Sequence, residues 1–324
     1  MKAPNIVFFG TPGFAETILK SLIENDLKPV AVVTQPDKPA SRGQKIVESP
    51  VKLLAKKHNI KIFQPEKLDE KFVSELKTQN SKLFIVAAYG KILPKAVLDI
   101  PKYSTLNVHA SLLPKYRGAS PIQAAILNGE KETGVTIMRM DERMDEGPIL
   151  SAVSCQVSDV ITADDLSKKL AVLGADLLIK TIPDYTSGKI KPTQQDNSKA
   201  TYTKIIKKED GHINWNKNCE EIERETRAFH PWPSAFAFWQ KQQKTTDKKQ
   251  LTKKILKVLP PVTCHLSPVT HPPGTVILTE KKELAITASD GYVIPAKLQL
   301  EGKKPMNSKE FLNGYPKIIG SVLN

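Results

Sequence analysis

Asn107 and His109 are the residues of this chain whose types and spacing best suit chemistry on a carbonyl group. They stand two positions apart at the end of the strand predicted over "STLNVHA", and the strand period of two places both side chains on one face of a sheet. An amide that donates, beside an imidazole that donates or accepts, can stabilise negative charge that develops on an oxygen. The spacing alone equally allows a buried, hydrogen-bonded histidine beside an asparagine that forms a turn.

A short acidic segment could supply a carboxylate to this pair. The stretch "MDERMDEGPIL", residues 140–150, contains Asp141, Glu142, Asp145 and Glu146 ahead of a Gly-Pro pair. A carboxylate next to an imidazole orients the ring and favours its protonated form. The alternative interpretation is an acidic turn on the surface that is solvated.

Two basic segments indicate a polyanionic partner. The stretch "TQPDKPASRGQK", residues 34–45, carries Lys38, Arg42 and Lys45 in a loop predicted after the second strand. A second stretch, residues 240–257, holds seven lysines and one aspartate. Four of its lysines are candidates for contacts with phosphates: Lys248, Lys249, Lys253 and Lys254. Both segments could instead be solvated surface.

The first loop, "FFGTPGFAE", places glycines between a predicted strand and a predicted helix, where free backbone amides could hold an anion. Its spacing is not G-x-G-x-x-G, and such glycines often serve a tight turn. A nicotinamide-dependent oxidoreductase is therefore disfavoured.

A sheet must position these residues, and the chain predicts one. Short apolar runs such as "NIVFFG", "KPVAVVT" and "LFIVAAYG" alternate with helical patterns, beginning with a helix over residues 12–25. This βαβ rhythm is typical of an α/β domain with a mainly parallel sheet and helices on both faces. Ligands bind such sheets at the carboxyl ends of the strands, which is where "NVHA" lies.

The rest of the chain predicts a second, smaller domain. A helix over about residues 162–182 should close a first domain that ends at 190, and the polar stretch 191–207 has the composition of a linker or an extended crossing segment. Residues 208–324 contain a short helix near residues 219–229 and then β-like runs such as "GTVILTE" and "YVIPAKLQL". That pattern is typical of a small barrel or sandwich.

Composition narrows the partners and the compartment. The 324 residues carry a net charge of +14 with a pI near 9.5, and residues 201–324 hold +8 of that charge, which favours a polyanion such as nucleic acid. Cys155, Cys219 and Cys264 are far apart and form neither a zinc motif nor a disulfide framework. The N-terminal sequence lacks the apolar run of a signal peptide, and no run is long enough to span a bilayer. We therefore expect a cytoplasmic protein without a membrane partner.

Several motifs together resemble those of the bacterial methionyl-tRNA formyltransferases, a branch of the formyltetrahydrofolate-dependent formyltransferase family. They run essentially from end to end of the chain: "FFGTPGFA", "TQPDKPASRGQK", "VAAYGKILP", "NVHASLLPKYRGASPIQ", "ETGVTIMRMDERMDEGPIL", "RAFHPWP" and "DGYVIPAKLQLEGKKPM". The resemblance implies a Rossmann-like formyl-transfer domain followed by an OB-like β-barrel that binds tRNA. It also implies transfer of a formyl group from 10-formyltetrahydrofolate to the α-amine of methionyl initiator tRNA, for translation initiation and without a metal.

The resemblance further assigns residues. The family's catalytic Asn, His and Asp fall on Asn107, His109 and Asp145, and its tRNA-contacting loop arginine falls on Arg42. By the same resemblance, residues of three loops would bind the folate: Tyr89, Gly90, Ile92, Ser111, Leu112, Leu113, Pro114, Asp141 and Met144. The tRNA would lie along Lys38, Arg42 and Lys45 and along the four lysines of residues 240–257 named above. We expect the protein to be a monomer that binds folate and tRNA.

Two alternatives stay open at this point. Formyltransferases that act on nucleotide-linked amino sugars or on a purine precursor use the same catalytic trio, so the trio does not identify the acceptor. A non-catalytic RNA-binding protein on the same scaffold is the second alternative, because fold alone does not establish activity. The lysine run and the Arg42 loop favour tRNA, because a polyphosphate strand engages many dispersed cations whereas a sugar nucleotide does not.

Overall fold

The computed structural model describes residues 4–40, 45–245 and 248–324. The chain divides into two compact units. The first comprises Met1–Pro121, Glu132–Gln156 and Leu166–Lys204, and the second comprises Ile122–Lys131, Val157–Asp165 and Ile205–Asn324. The division predicted at residue 190, with a linker over 191–207, stays a prediction.

The first unit is built on a seven-stranded sheet. In chain order, its strands and those of two small ladders are β1 (Ile6–Gly10), β2 (Ala31–Val33), β3 (Lys38–Ala40), β4 (Lys45–Val47), β5 (Lys61–Phe63), β6 (Leu83–Ala87), β7 (Thr105–His109), β8 (Arg117–Gly118), β9 (Glu132–Arg139), β10 (Ile149–Gln156) and β11 (Tyr202–Thr203). The sheet order is β10-β9-β7-β6-β1-β2-β5. Strands β5, β2, β1, β6 and β7 are parallel, and β9 and β10 are antiparallel additions. The predicted α/β fold with a mainly parallel sheet is confirmed.

Helical periodicity explains the helices around this sheet, which are α1 (Gly13–Glu24), α2 (Pro50–Lys57), α3 (Glu70–Lys77), α4 (Lys95–Leu98) and α6 (Ala163–Thr186), whereas α5 (Pro121–Leu127) falls mostly in the second unit. Helix α1 buries Ala15, Ile18, Leu19 and Leu22, which recur at the spacing of one helix face. Helix α6 contains Pro183 and extends to Thr186, four residues beyond its predicted end. The helices cover the sheet, so every residue of β1 and β6 is buried.

The strand order locates the edge at which ligands should bind. After β1 the chain builds outward through β2 and β5, and it then returns to place β6 on the other side of β1. Open α/β sheets bind ligands at such a reversal, outside the carboxyl ends of the strands. The loops after β1, β6 and β7 lie at that edge, so the fold presents the end of β7 to a ligand.

The second unit contains an antiparallel sheet. Its strands are β12 (Ala235–Thr245), β13 (Lys248–Leu266), β14 (Val276–Leu278), β15 (Leu284–Thr287), β16 (Gly291–Leu300) and β17 (Met306–Asn307), and its helices are α7 (Cys219–Ala228) and α8 (Ser308–Gly314). The sheet order is β12-β13-β16-β15-β14, with β17 beside β16. The sheet curls around a core that includes Trp239 and Phe311. The predicted small, barrel-like second domain is confirmed.

The lysine-rich segment differs from its expected form. The sequence predicts a charged surface segment over residues 240–257, whereas residues 240–245 and 248–257 lie on the two longest strands of the second unit, β12 and β13. Among the described parts of the chain, no helix is long and apolar enough to cross a membrane.

Candidate active site

The three predicted catalytic side chains lie together at the carboxyl end of β7. Asn107 and His109 occupy β7, and Asp145 lies in the loop between β9 and β10. The Asn107 Nδ2 donates to Asp145 Oδ1 over 3.3 Å, and His109 Nδ1 lies 3.7 Å from Asp145 Oδ2. His109 is 5% exposed. The fold therefore selects Asp145 from the four carboxylates of its segment as the partner of both residues.

The imidazole of His109 is fixed by one ring nitrogen. Its Nε2 lies 3.0 Å from the carbonyl oxygen of Tyr116. A carbonyl oxygen only accepts, so Nε2 carries a proton and donates it in this contact. The other nitrogen, Nδ1, faces Asp145 at a distance that is too long for a hydrogen bond. Nδ1 is therefore the nitrogen that can exchange a proton with a bound group.

Asp145 is held in an uncommon backbone conformation. Its φ is +53°, in the left-handed region that L-residues adopt at a cost. The backbone N–H of Gly118 donates to Asp145 Oδ2 over 2.8 Å, which fixes the position of the carboxylate. Gly118 itself has φ +108°, and a Cβ there would lie 2.4 Å from the carbonyl oxygen of Thr203. This close approach of two backbone segments requires glycine.

Gln195, which is not among the predicted site residues, contacts the same loop. Gln195 Nε2 donates to the carbonyl oxygens of Asp145 and Gly147, over 2.8 and 2.7 Å. Gln195 lies in the polar stretch that the composition predicted as a linker, and a glutamine in such a stretch gives no signal of its own. Arg117, which donates to the Gln195 amide oxygen, lies in the motif "NVHASLLPKYRGASPIQ". Its nearness to His109 in the sequence could have identified Arg117 as a site residue.

The loop after β7 contains four predicted folate residues, and two of them are tied to β9. The Thr136 hydroxyl donates to the Ser111 carbonyl oxygen over 2.7 Å and accepts from the Leu113 N–H over 3.1 Å. The Ser111 hydroxyl donates to the Lys115 carbonyl oxygen. Leu112 and Pro114 are half-buried. This loop is therefore a rigid wall beside His109.

Two other predicted folate residues, Tyr89 and Gly90, lie in the loop after β6, beside a cleft of about 500 Å³. The Tyr89 carbonyl oxygen accepts from Gln35 Nε2 over 2.9 Å and from Thr11 Oγ1 over 3.4 Å, which joins the loops after β1, β2 and β6. The Tyr89 side chain is buried, and its hydroxyl has no hydrogen-bond partner among the described residues. Burial raises the pKa of this phenol to about 12.

The remaining predicted folate residues lie in the loop after β6, which contains Ile92, and in the loop between β9 and β10, which contains Asp141 and Met144. Ile92 and Met144 are apolar side chains that are 76% and 55% exposed. Asp141 Oδ1 accepts from the Arg143 N–H over 2.9 Å. Among the residues that the structure describes, no group of three or more His, Cys, Asp or Glu could hold a metal ion.

Apart from Arg42, the residues predicted to contact tRNA fall on two hairpins. Lys38 lies on β3 and Lys45 on β4, which pair antiparallel, while Arg42 lies outside the described residues. The four lysines of the second hairpin lie on β13: Lys248, Lys249, Lys253 and Lys254. The Lys253 ammonium lies 3.9 Å from the centre of the Phe238 ring on β12. Lys253 is exposed and Lys254 is half-buried.

Comparison with known proteins identifies the family. The family model described as formyl transferase matches residues 4–182, and the model described as formyl transferase, C-terminal domain, matches residues 205–316. A methionyl-tRNA formyltransferase of Lachnospira eligens is 42% identical over 323 residues, which cover 98% of this chain and 99% of the relative.

Solved structures show the same fold at lower identity. HypX from Aquifex aeolicus, in complex with tetrahydrofolic acid, has a TM-score of 0.64 at 16% identity over 98% of this chain and 48% of its own. The N-formyltransferase from Helicobacter canadensis, in complex with folinic acid and dTDP-3-aminofucose, has a TM-score of 0.61 at 23% identity over 90% of this chain and 98% of its own. Both full-length sequence similarity and the two matched domains agree, and the chain therefore belongs to the methionyl-tRNA formyltransferases of the formyl transferase family.

Proposed function

We propose that the enzyme transfers the formyl group of 10-formyltetrahydrofolate to the α-amine of methionyl initiator tRNA, with Asn107, His109 and Asp145 as catalytic residues. The observation that carries the proposal is the convergence of these three side chains, over 3.3 and 3.7 Å, at the end of β7. The name of the Lachnospira relative supports the tRNA acceptor. The tetrahydrofolic and folinic acids of the two solved structures support a folate donor.

The loops around the trio fit a folate. Ile92 and Met144 expose apolar surface on the loops after β6 and β9, and a folate needs such surface beside a few polar groups. The cleft next to Tyr89 and Gly90 adds residues from the loops after β1, β2 and β6, among them Thr11 and Gln35. 10-Formyltetrahydrofolate supplies a formyl group on a nitrogen, and its transfer to an amine forms one C–N bond and breaks another.

Asn107 and His109 act as donors to the formyl oxygen. The Asn107 amide has two protons, of which one goes to Asp145, so the second is available to the oxygen as it becomes negative. His109 donates its Nε2 proton to the Tyr116 carbonyl, so its donor toward the substrate is the Nδ1–H of the doubly protonated ring. Donors that are fixed before the reaction stabilise the developing charge without reorganising.

Asp145 accepts the proton that the attacking amine loses. The amine attacks as the neutral base, it loses one proton when the new C–N bond forms, and the departing nitrogen gains one proton. Asp145 is the carboxylate placed to accept the first proton, because the Gly118 N–H and the Asn107 amide hold both of its oxygens in place. His109 Nδ1, 3.7 Å from Asp145 Oδ2, is placed to return a proton to the departing nitrogen.

The proposal that tRNA is the acceptor rests on the positive charge of the chain. Residues 201–324 have a net charge of +8, and Lys253 and Lys254 belong to the lysine-rich strand β13. Dispersed cations attract a phosphate backbone by releasing its counterions. The loop of Lys38, Arg42 and Lys45 is the second proposed contact. The monomeric state and the cytoplasmic location expected from the sequence stay predictions.

The proposal is tested by following formylmethionine in a reaction of the purified protein with 10-formyltetrahydrofolate and methionyl initiator tRNA. A parallel reaction replaces the tRNA with a dTDP-linked amino sugar. We expect formylmethionine only, and we expect Asp145→Asn and His109→Ala to lower kcat by about 10²- to 10⁴-fold with little change in folate affinity.

Glu142→Gln is the matched control for Asp145→Asn. Glu142 lies three residues away in the same acidic segment, and its side chain is 64% exposed. The control should keep the kcat of the wild type. A formylated sugar without formylmethionine would contradict the tRNA acceptor, and an Asp145→Asn effect confined to KM would contradict the catalytic role.

A further inference from the structure

The guanidinium of Arg117 is completely buried close to the proposed catalytic residues, and the proposed catalytic step does not use it. Arg117 is 0% exposed. Its Nε and Nη2 donate to Gln195 Oε1 over 3.1 and 2.9 Å, Nη2 also donates to Asn197 Oδ1 over 2.7 Å, and Nη1 donates to the Tyr202 hydroxyl over 3.1 Å. Nη1 lies 3.6 Å from Glu146 Oε1. A buried charge is tolerated when it is paired and hydrogen-bonded, and this one is.

Arg117 fixes the orientation of the Gln195 amide. A guanidinium has only donors, so the amide oxygen of Gln195 must face it. The amide nitrogen then faces the opposite way, toward the loop of Asp145, where it donates both of its protons to the carbonyl oxygens of Asp145 and Gly147. A reversed amide would bring oxygen against two carbonyl oxygens and nitrogen against the guanidinium.

The loop that Gln195 contacts needs such support. Asp145 has a left-handed backbone conformation, which persists in a protein only where surrounding contacts enforce it. Gln195 holds the Asp145 carbonyl, and the N–H of Gly118, the residue next to Arg117, holds the Asp145 carboxylate. Both ends of the residue are thus fixed from the segment of residues 117–118.

We propose that Arg117, acting through Gln195, is a positioning residue that holds the Asp145 carboxylate toward Asn107 and His109. Arg117 reaches the backbone of Asp145 through Gln195, and it is not a catalytic residue. The proposal rests on the proposed function, because it takes Asp145 as the catalytic carboxylate.

The test compares Gln195→Glu with Asn197→Asp, two identical changes of an amide to a carboxylate beside the same guanidinium. Glu at position 195 still accepts from Arg117, but it has no proton for the carbonyl oxygens of Asp145 and Gly147 and it repels them. Asn197 contacts Arg117 without reaching that loop. We expect Gln195→Glu to lower the kcat for formation of formylmethionyl-tRNA by about 100-fold, the usual effect of misplacing a reacting group by about 1 Å. The KM for tRNA and the kcat of Asn197→Asp should stay within about threefold of the wild type.

A double variant separates positioning from a general structural effect. If Gln195 acts through the Asp145 carboxylate, Gln195→Glu should change single-turnover rates by less than about threefold in an Asp145→Asn background. The positioning role would be overturned if the rate losses of Gln195→Glu and Asp145→Asn multiply in the double variant. It would also be overturned if Gln195→Glu and Asn197→Asp lose equal amounts of kcat. Full activity of Asp145→Asn alone would instead refute the proposed function. Gln195→Met, which has a similar length and no donor, replaces Gln195→Glu if that variant does not fold.

Discussion

Gly118 is the position at which a single methyl group should disturb Asp145 most directly, and Gly188 provides the control. Both glycines have positive φ angles, +108° and +80°. A Cβ added at Gly188 meets nothing within 4 Å, whereas one at Gly118 would lie 2.4 Å from the Thr203 carbonyl oxygen. The two Gly→Ala variants therefore share a strained backbone, but only Gly118→Ala meets another part of the chain.

The structure sets the size of the two effects. A non-glycine residue in such a backbone region costs about 1–3 kcal/mol, which both variants should lose in free energy of unfolding. At Gly118, the methyl group and the Thr203 oxygen must also separate by about 1 Å to reach ordinary van der Waals contact. A shift of that size breaks the 2.8 Å hydrogen bond from the Gly118 N–H to Asp145 Oδ2. We expect kcat to fall by about 100-fold in Gly118→Ala and to stay unchanged in Gly188→Ala.

Urea denaturation and steady-state formylation of methionyl initiator tRNA measure both quantities on the same preparations. Gly118→Ala should lose at least about 1 kcal/mol more free energy of unfolding than Gly188→Ala, because it adds a buried steric conflict to the same strain. A Gly118→Ala enzyme that is destabilised but keeps the kcat of the wild type would refute the reasoning. It would mean that the Gly118 N–H does not set the position of the carboxylate.

Two further predictions concern a buried hydroxyl and the tRNA surface. Tyr89→Phe removes a buried hydroxyl without a partner among the described residues, so the free energy of unfolding should rise by about 1 kcal/mol. The pKa of the Tyr89 phenol is about 12 in the folded protein and near 10 in the unfolded chain, so the wild type loses stability as pH rises from about 10 to about 12. The stability advantage of Tyr89→Phe over the wild type should therefore grow in this pH range. Urea titrations at pH values of about 8 and 11 check both points. The KM for tRNA should rise steeply with salt, and replacing Lys253 and Lys254 by Ala should flatten the slope, while Lys20→Ala on α1 should not. A KM that does not depend on salt would exclude this strand as the RNA surface.

The elements that the sequence predicted well are those with a local cause. The spacing of Ala15, Ile18 and Leu22 predicts α1 to within one residue at each end, because periodicity on a helix face is visible in the sequence itself. Helix α7 was predicted equally well. Its first turn carries a capping box in which Asn218 and Glu221 bond each other's backbone N–H groups.

The parts that the sequence did not predict depend on contacts between distant segments. Gln195 is 50 residues from Asp145 along the chain, and its bonds leave no periodic trace in the polar stretch around it. The acidic segment offered four carboxylates and only the family resemblance pointed to Asp145, because the left-handed backbone and the Gly118 contact that bring this carboxylate to Asn107 leave no local pattern. Strand β13 was likewise not predicted over its lysine-rich part, because frequent charged residues mask the alternation of apolar and polar residues by which strands are identified.

The two ring nitrogens of His109 make different contacts, and a pair of amide variants can separate their roles. The side-chain nitrogen of Asn can occupy the place of Nδ1, and that of Gln can occupy the place of Nε2. Nε2 donates to the Tyr116 carbonyl, so a Gln at this position would keep the structural bond and lose the donor toward the substrate. An Asn would lose the structural bond, and Asp145 would attract its NH₂ group into the position of Nδ1.

If Nδ1–H is the donor to the formyl oxygen, His109→Asn should keep about 10-fold more kcat than His109→Gln, since one hydrogen bond to a developing oxyanion is worth at least that factor. His109→Gln should be the more stable variant in urea, because it keeps the buried hydrogen bond to Tyr116. The comparison needs only kcat and a denaturation midpoint for each variant. The reverse order of activity would assign the donor to Nε2 and would require the Tyr116 contact to open when substrate binds.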